Sequence, residues 1–226
     1  MLSGEPAVTV EIVDESKPGL RERKKQRTHA AISDAAIGLF LEHGFDQVSV
    51  ARVAEAAEVS KRTLFAYFPT KEDLVVHRLA DHETELARVV RAREPGTDPL
   101  AAVREHFLHG LRERDPISGL NDHPQVLRLT RMILDSPSLV ARMETFKSGA
   151  ERSLARALRE TADTPELTAR LAAVQIVAVQ WALSQDNAHR MADGESADAR
   201  YAGAEADAEH AFALLEGGLG RLTPPQ

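Results

Sequence analysis

Between residues 60 and 71 the chain reads SKRTLFAYFPTK. Ser60, Lys61, Arg62 and Thr63 place two cations and two hydroxyls within one helical turn. An arginine fork can bond two acceptors on a guanine edge at once, and a threonine can bond a phosphate or touch a thymine methyl. Tyr67 stands four positions beyond Thr63, so on a helix it shares that face. Leu64 and Phe68 fall on the other side, where they can anchor the segment. The chemistry these residue types offer is recognition of duplex DNA.

That chemistry needs elements to position it. A helix over about 61–67, capped by Ser60, follows a helix over about 50–57, capped by Ser49. Val50, Val53, Ala54 and Ala57 lie on one face of the earlier helix, and Glu58-Val59 separates the pair. Two short helices so spaced suit a helix-turn-helix, whose second helix enters the major groove. Upstream, Ile32, Ala35, Ala36, Leu39 and Phe40 mark an amphipathic helix over about 22–43, ended by Gly44. Pro69 breaks the chain, and Thr70 then precedes a long fourth helix predicted to reach about Arg93. Asp98-Pro99, Ser136-Pro137 and Thr164-Pro165 each place a capping side chain before a proline at the first helical position. The helices predicted beyond the fourth cover about 99–114, 123–134, 137–162, 165–191 and 197–219. The expected fold is all-α: a flexible leader over 1–19, a three-helix DNA-binding head over 20–70, and a helical ligand-binding and dimerisation body over 71–226, with the fourth helix joining head to body.

The run from LFLEHGFDQVSV through ARVAEAAEVS to KRTLFAYFPTKEDLV resembles the DNA-binding head of the TetR family of bacterial repressors. The resemblance covers about 50 residues. It implies that Ser49 and Arg52 lie near the DNA backbone, that Lys61, Arg62 and Thr63 read bases or phosphates, and that Tyr67 and Lys71 bind phosphate. Two positions depart from the family pattern. Glu58 stands where glycine is usual, so it must accept the turn's backbone geometry. Phe65 stands where tyrosine is usual; lacking a hydroxyl, it is expected to pack or to touch bases.

The formal net charge of −7 conceals a gradient: −3 over residues 1–19, +1 over 20–75 and −5 over 76–226. Arg21, Arg23, Lys24, Lys25 and Arg27 concentrate positive charge just ahead of the head, either as an arm following phosphates or as a solvated surface. The chain has no cysteine, which rules out disulfides and thiolate metal sites and is compatible with the cytoplasm. The N-terminal stretch lacks the pattern of a signal peptide, and no apolar run is read as membrane-spanning.

In the body, the family resemblance implies a pocket for a small-molecule effector that releases DNA. Phe107, Met132, Met143, Phe146 and Trp181 are its candidate lining, though each also suits a plain core. His106 and Arg131 are candidates for an acidic ligand, or for surface ion pairs. His106, His109 and His123 do not assemble an evident metal set, and no catalytic motif or cofactor signature is present. Leu167, Leu171, Val174, Ala178 and Trp181, with Ala208, Ala211, Phe212 and Leu215, form stripes on the last two helices; a homodimer through them is expected. The predicted function is a ligand-released repressor on a palindromic operator. The rivals are a DNA-binding regulator without a ligand and a helical small-molecule enzyme or carrier.

Overall fold

The computed structural model describes residues 20–218, with residues 20–23, 26 and 78–81 as backbone only. The expected leader and the side chains of Arg21 and Arg23 lie outside the described residues. Among the described residues ten α-helices occur in chain order: α1 (Leu20–His43), α2 (Val50–Ala56), α3 (Lys61–Tyr67), α4 (Asp73–Val76), α5 (Glu85–Ala92), α6 (Pro99–Arg112), α7 (Pro124–Leu134), α8 (Pro137–Ala162), α9 (Glu166–Ala192) and α10 (Ala197–Gly217). Two 3₁₀ segments, His77–Thr84 and Pro116–Ser118, join α4 to α5 and lead out of α6. No strand occurs among the described residues.

Local signals account for most helix ends. Ser49 accepts the Arg52 N–H at 3.2 Å and Ser60 accepts the Thr63 N–H at 3.0 Å. Gly44 adopts φ 88° and its N–H closes on the Phe40 carbonyl at 2.8 Å. Ahead of α4, the Thr70 N–H and hydroxyl donate to Asp73 Oδ2, while the Asp73 N–H donates back to Thr70 Oγ1 at 3.2 Å. Asp98 caps α6 through the Ala101 N–H. The other two proline signals behave differently. Ser136 forms no side-chain cap, and α9 begins after Pro165 while Thr164 donates to the Ala162 carbonyl.

The expected continuous fourth helix is not formed. Its centre is eight residues of 3₁₀ helix, longer than the three or four usual for that form. Apolar residues at i, i+3 suit both helix types, so the sequence pattern could not separate them. The 3₁₀ form rises about 2.0 Å per residue against 1.5 Å, so the segment reaches farther between head and body. Contacts fix it at both ends. His77 meets the His29 ring edge-on at 3.8 Å, and His82 hydrogen-bonds Glu85.

Two apolar cores result. One gathers Ile32, Phe40, Val53, Leu64, Phe68 and Leu74 from the first four helices and takes Leu139 from α8. The other fills the space between α5, α6, α8, α9 and α10 around Val103, Leu111, Leu154, Ala173 and Phe212. Polar ties also join head to body. Arg142 of α8 holds Asp73 Oδ1 with Nε at 2.7 Å and Nη2 at 2.6 Å, and Arg128 of α7 donates to the Leu41 carbonyl at 2.8 Å. The helix α9 departs from the expectation of no membrane-length apolar stretch. An 18-residue window of it has mean hydropathy 1.3, because leucine, isoleucine, valine and alanine dominate between Leu171 and Leu183.

Candidate nucleic-acid interface and body cavity

In the helix-turn-helix, α2 and α3 are set by buried Val53, Ala54 and Leu64. Glu58 adopts φ 53° in the turn, the left-handed geometry its position demands of a non-glycine residue. This arrangement leaves Lys61 and Arg62 exposed at the N-terminal end of α3. The Thr63 hydroxyl is 2.8 Å from Ser60 Oγ, so these two side chains restrain each other beside the cations. Phe65 is 47% exposed and does not pack into the head, which leaves the apolar ring available to an outside surface. Tyr67 is partly buried, with its ring 6.1 Å from that of His29.

The remaining candidates frame this face. The guanidinium of Arg52 lies 2.7 Å from His43 Nε2, so α2 is tied to the end of α1 through the very side chain expected near DNA. Lys71 precedes α4, and its ammonium donates to the Phe45 carbonyl at 2.6 Å while lying 4.3 Å from the Phe45 ring centre. One of its three donors is thereby used, and the charge is fixed in place. Lys24, Lys25 and Arg27 are exposed along the first turns of α1.

The body holds a cavity of about 280 Å³ between the 3₁₀ segment His77–Thr84, α5, α6, α7, α8 and α9. Five candidates line it: His106, Phe107, Met143, Phe146 and Trp181. Two do not. Arg131 turns away and donates to the Ala192 carbonyl at the end of α9, at 2.7 Å from Nη2. Met132 packs against the head core, and both residues line a separate groove against Phe40 and Phe45. Both lie on the face of α7 opposite Leu129, Thr130 and Ile133, which do line the cavity; rotation about the helix axis decides this.

The polar wall contains groups missed in the sequence. Glu85 bridges two histidines, with Oε2 2.5 Å from His82 Nδ1 and Oε1 3.1 Å from His106 Nε2. Burial alone would raise the Glu85 carboxyl, but hydrogen bonds and charge from His106 and His82 outweigh it and lower the pKa to about 2. The His82-x-x-Glu85 spacing was the available signal, and the partner His106 comes from another helix. His106 thus serves Glu85 and not His109, which is exposed, or His123, whose Nδ1 accepts the Gln125 N–H at the start of α7. The floor is the 115–120 loop, where buried Asn187 donates to the Ser118 carbonyl at 3.0 Å. The indole N–H of Trp181 is buried and has no hydrogen-bond partner among the described residues.

The family profile "Bacterial regulatory proteins, tetR family" matches residues 32–77, which span the end of α1 through α4. The HTH-type transcriptional regulator TcmR of Streptomyces glaucescens is 31% identical over 180 residues, covering 75% of this chain and 79% of TcmR. The chain belongs to the TetR family. It is a helix-turn-helix, DNA-binding transcriptional regulator of all-α fold, in a family of regulators and not of enzymes. Another TetR-family relative, the HTH-type transcriptional repressor KstR of Rhodococcus jostii, is 29% identical over 177 residues, covering 77% of this chain and 76% of KstR. The fold is also that of SmeT, solved with triclosan, at TM-score 0.53 and 16% identity, covering 89% of this chain and 99% of SmeT.

The dimer stripes expected on the last two helices differ in their fates. On α9, Leu167, Leu171 and Val174 are 60%, 53% and 41% exposed. On α10, Ala208 and Phe212 are fully buried in the chain's own core, and Trp181 of α9 faces the cavity. The exposed stripe of α10 is instead Ala199, Ala202, Ala206 and Ala213, on the opposite side of the helix. The face of α10 turned to the core buries Ala197, Ala204, Ala208 and Phe212, so position around the helix and not side-chain size separates buried from exposed alanines.

Proposed function

We propose that this regulator is a repressor which binds a palindromic operator as a homodimer and is released by a small-molecule effector. Lys61, Arg62 and Thr63 read base edges or phosphates, Phe65 meets bases, and Tyr67, Lys71, Ser49, Ser60 and Arg52 contact the backbone, with Lys24, Lys25, Arg27 and Arg23 as a basic arm. The head comprises 20–70 and the ligand-binding and dimerisation body 71–226. The exposed leucines of α9 and alanines of α10 form the interface, since small residues let helices approach closely. The protein acts where the chromosome lies, in the cytoplasm.

The observation that carries the effector reading is the cavity's position. Its walls include the 3₁₀ segment that continues into α4 and the helix α7 that reaches α1 through Arg128. A ligand that fits one arrangement of these walls better than another shifts the head with it. The cavity also favours this reading over a regulator whose body only dimerises, since such a body has no need of an open centre.

Selection of bound sequences from a random DNA pool, followed by titration of the selected site, tests the DNA assignment. A dimer neutralising about eight phosphates gives a slope of log K against log salt near −7. Arg62→Ala should relax preference at one position per half-site, whereas Lys71→Ala should weaken all sites alike. No enrichment, or a flat salt response, overturns the reading.

A further inference from the structure

The cavity carries a charge that its own walls leave unanswered. Glu83, at the end of the 3₁₀ segment, lies on the cavity wall and is partly buried. Its carboxylate forms no hydrogen bond or ion pair with the described residues. The other titratable groups of the wall are engaged. Glu85 is held by His82 and His106, Asp115 accepts the Ile117 N–H at 3.0 Å, and Lys147 pairs with Glu144 at 3.5 Å.

The fold makes a specific place for this carboxylate. Its Cγ, Cδ and Oε1 lie against Gly149, in the middle of α8, where a Cβ would fall 2.1 Å from Oε1 and 2.8 Å from Cγ. A glycine inside a 26-residue helix is unfavourable relative to alanine. Here it makes room for an acid that has no hydrogen-bond or ion-pair partner among the described residues. The rest of the wall is largely apolar, with Phe107, Phe146 and Trp181 among its rings.

These observations constrain what can fill the space. A neutral apolar molecule would strip water from Glu83 and leave a buried charge without a partner. An anion would add repulsion. A cation removes the penalty and gains the aromatic faces as well. We propose that the effector is a lipophilic organic cation, an apolar body bearing one ammonium-type group, with Glu83 as the residue that recognises the charge. This rests on the reading of the cavity as an effector site, and it replaces the acidic ligand expected from Arg131 and His106, since Arg131 lies outside the cavity.

Three probes of one shape separate the possibilities: 4-phenylbutylammonium, 4-phenylbutanol and 4-phenylbutyrate. Trp181 is the only tryptophan in the chain and lines the cavity, so its fluorescence reports occupancy, with calorimetry as the second readout. The cation should bind about tenfold tighter than the alcohol, and the anion weakest. Glu83→Gln should remove that preference, weakening the cation and, by removing the charge that a neutral ligand would desolvate, binding the alcohol at least as tightly. Gly149→Ala should do the same by displacing the carboxylate. Equal or tighter binding of the alcohol or the anion overturns the cation assignment but leaves the cavity an effector site. A cation preference that survives Glu83→Gln also overturns it. If no probe binds and Trp181 does not respond, the effector reading of the cavity falls, and this inference with it.

Discussion

Gly119 offers the sharpest test of how the cavity floor is held. It follows the 3₁₀ turn Pro116–Ser118, adopts φ 75°, and presses against the backbone of α9. A Cβ added there would lie 2.0 Å from the Ser184 carbonyl oxygen, 2.9 Å from its carbon and 3.0 Å from the Ala188 nitrogen. Carbon contacts settle near 3.5 Å, so in Gly119→Ala the loop must lift by more than about 1 Å. That lift breaks the buried bond from Asn187 to the Ser118 carbonyl, a loss of about 1–3 kcal/mol. It also uncovers part of Leu120, which is fully buried, for about 1 kcal/mol. The left-handed backbone adds about 1 kcal/mol for a residue with a side chain. The expected destabilisation is about 4 kcal/mol, read in urea as a midpoint lower by about 2 M at an unchanged slope near 2 kcal/mol/M. Gly96 supplies the control. Its φ is 88°, but a Cβ there meets nothing within 4 Å, so Gly96→Ala should lose only the backbone part, about 1 kcal/mol. Equal losses in the two variants would refute the argument from the α9 contact.

Glu58→Gly should stabilise the head by about 0.5–1 kcal/mol in thermal or urea unfolding, because it relieves a φ of 53° in the turn; destabilisation would contradict the strain assigned to it. Asp73 is buried beneath Arg142, so Arg142→Ala and Asp73→Ala should each cost about 2–3 kcal/mol and couple by about 2 kcal/mol in a double-mutant cycle, whereas additive losses would mean the pair does not tie α4 to α8. The Glu85 carboxyl is lowered from 4.5 to about 2, so its ion contributes stability above pH 4.5 that is lost as pH falls towards 2. With its side chain 18% exposed, the contribution is on the order of 2 kcal/mol after allowance for screening, and Glu85→Gln should flatten that acid limb; an unchanged pH dependence of urea midpoints would argue against the His82–Glu85–His106 bridge.

The head was legible because its instructions are local. Ser49 and Ser60 cap the helices they immediately precede, Gly44 ends α1 four residues beyond Phe40, and the spacing of Val53, Ala54 and Leu64 turns α2 and α3 onto one core. Each of these relations spans a few residues, so composition and spacing suffice to state it. Even the strain at Glu58 could be read, since the turn fixes φ whatever residue occupies it. The body was legible as helices and much less so as a site. His106, Phe107, Met143, Phe146 and Trp181 meet at one cavity, while Arg131 and Met132 on α7 face away, a difference set by the rotation of one helix against its neighbours.

By itself, then, the sequence determined an all-α chain with a helix-turn-helix whose exposed end carries Lys61, Arg62 and Thr63. Tertiary structure decided what depends on elements far apart in the chain. It made the predicted fourth helix a 3₁₀ bridge, whose ends meet His29 of α1 and, through Glu85, His106 of α6. It buried Ala208 and Phe212 and left Ala199, Ala202 and Ala206 outside, because packing against α6 and α9 chose which side of α10 faces the core. It seated Glu83 on Gly149, 66 positions away, at the cavity wall. Periodicity fixes which residues share a face; only packing fixes what that face meets.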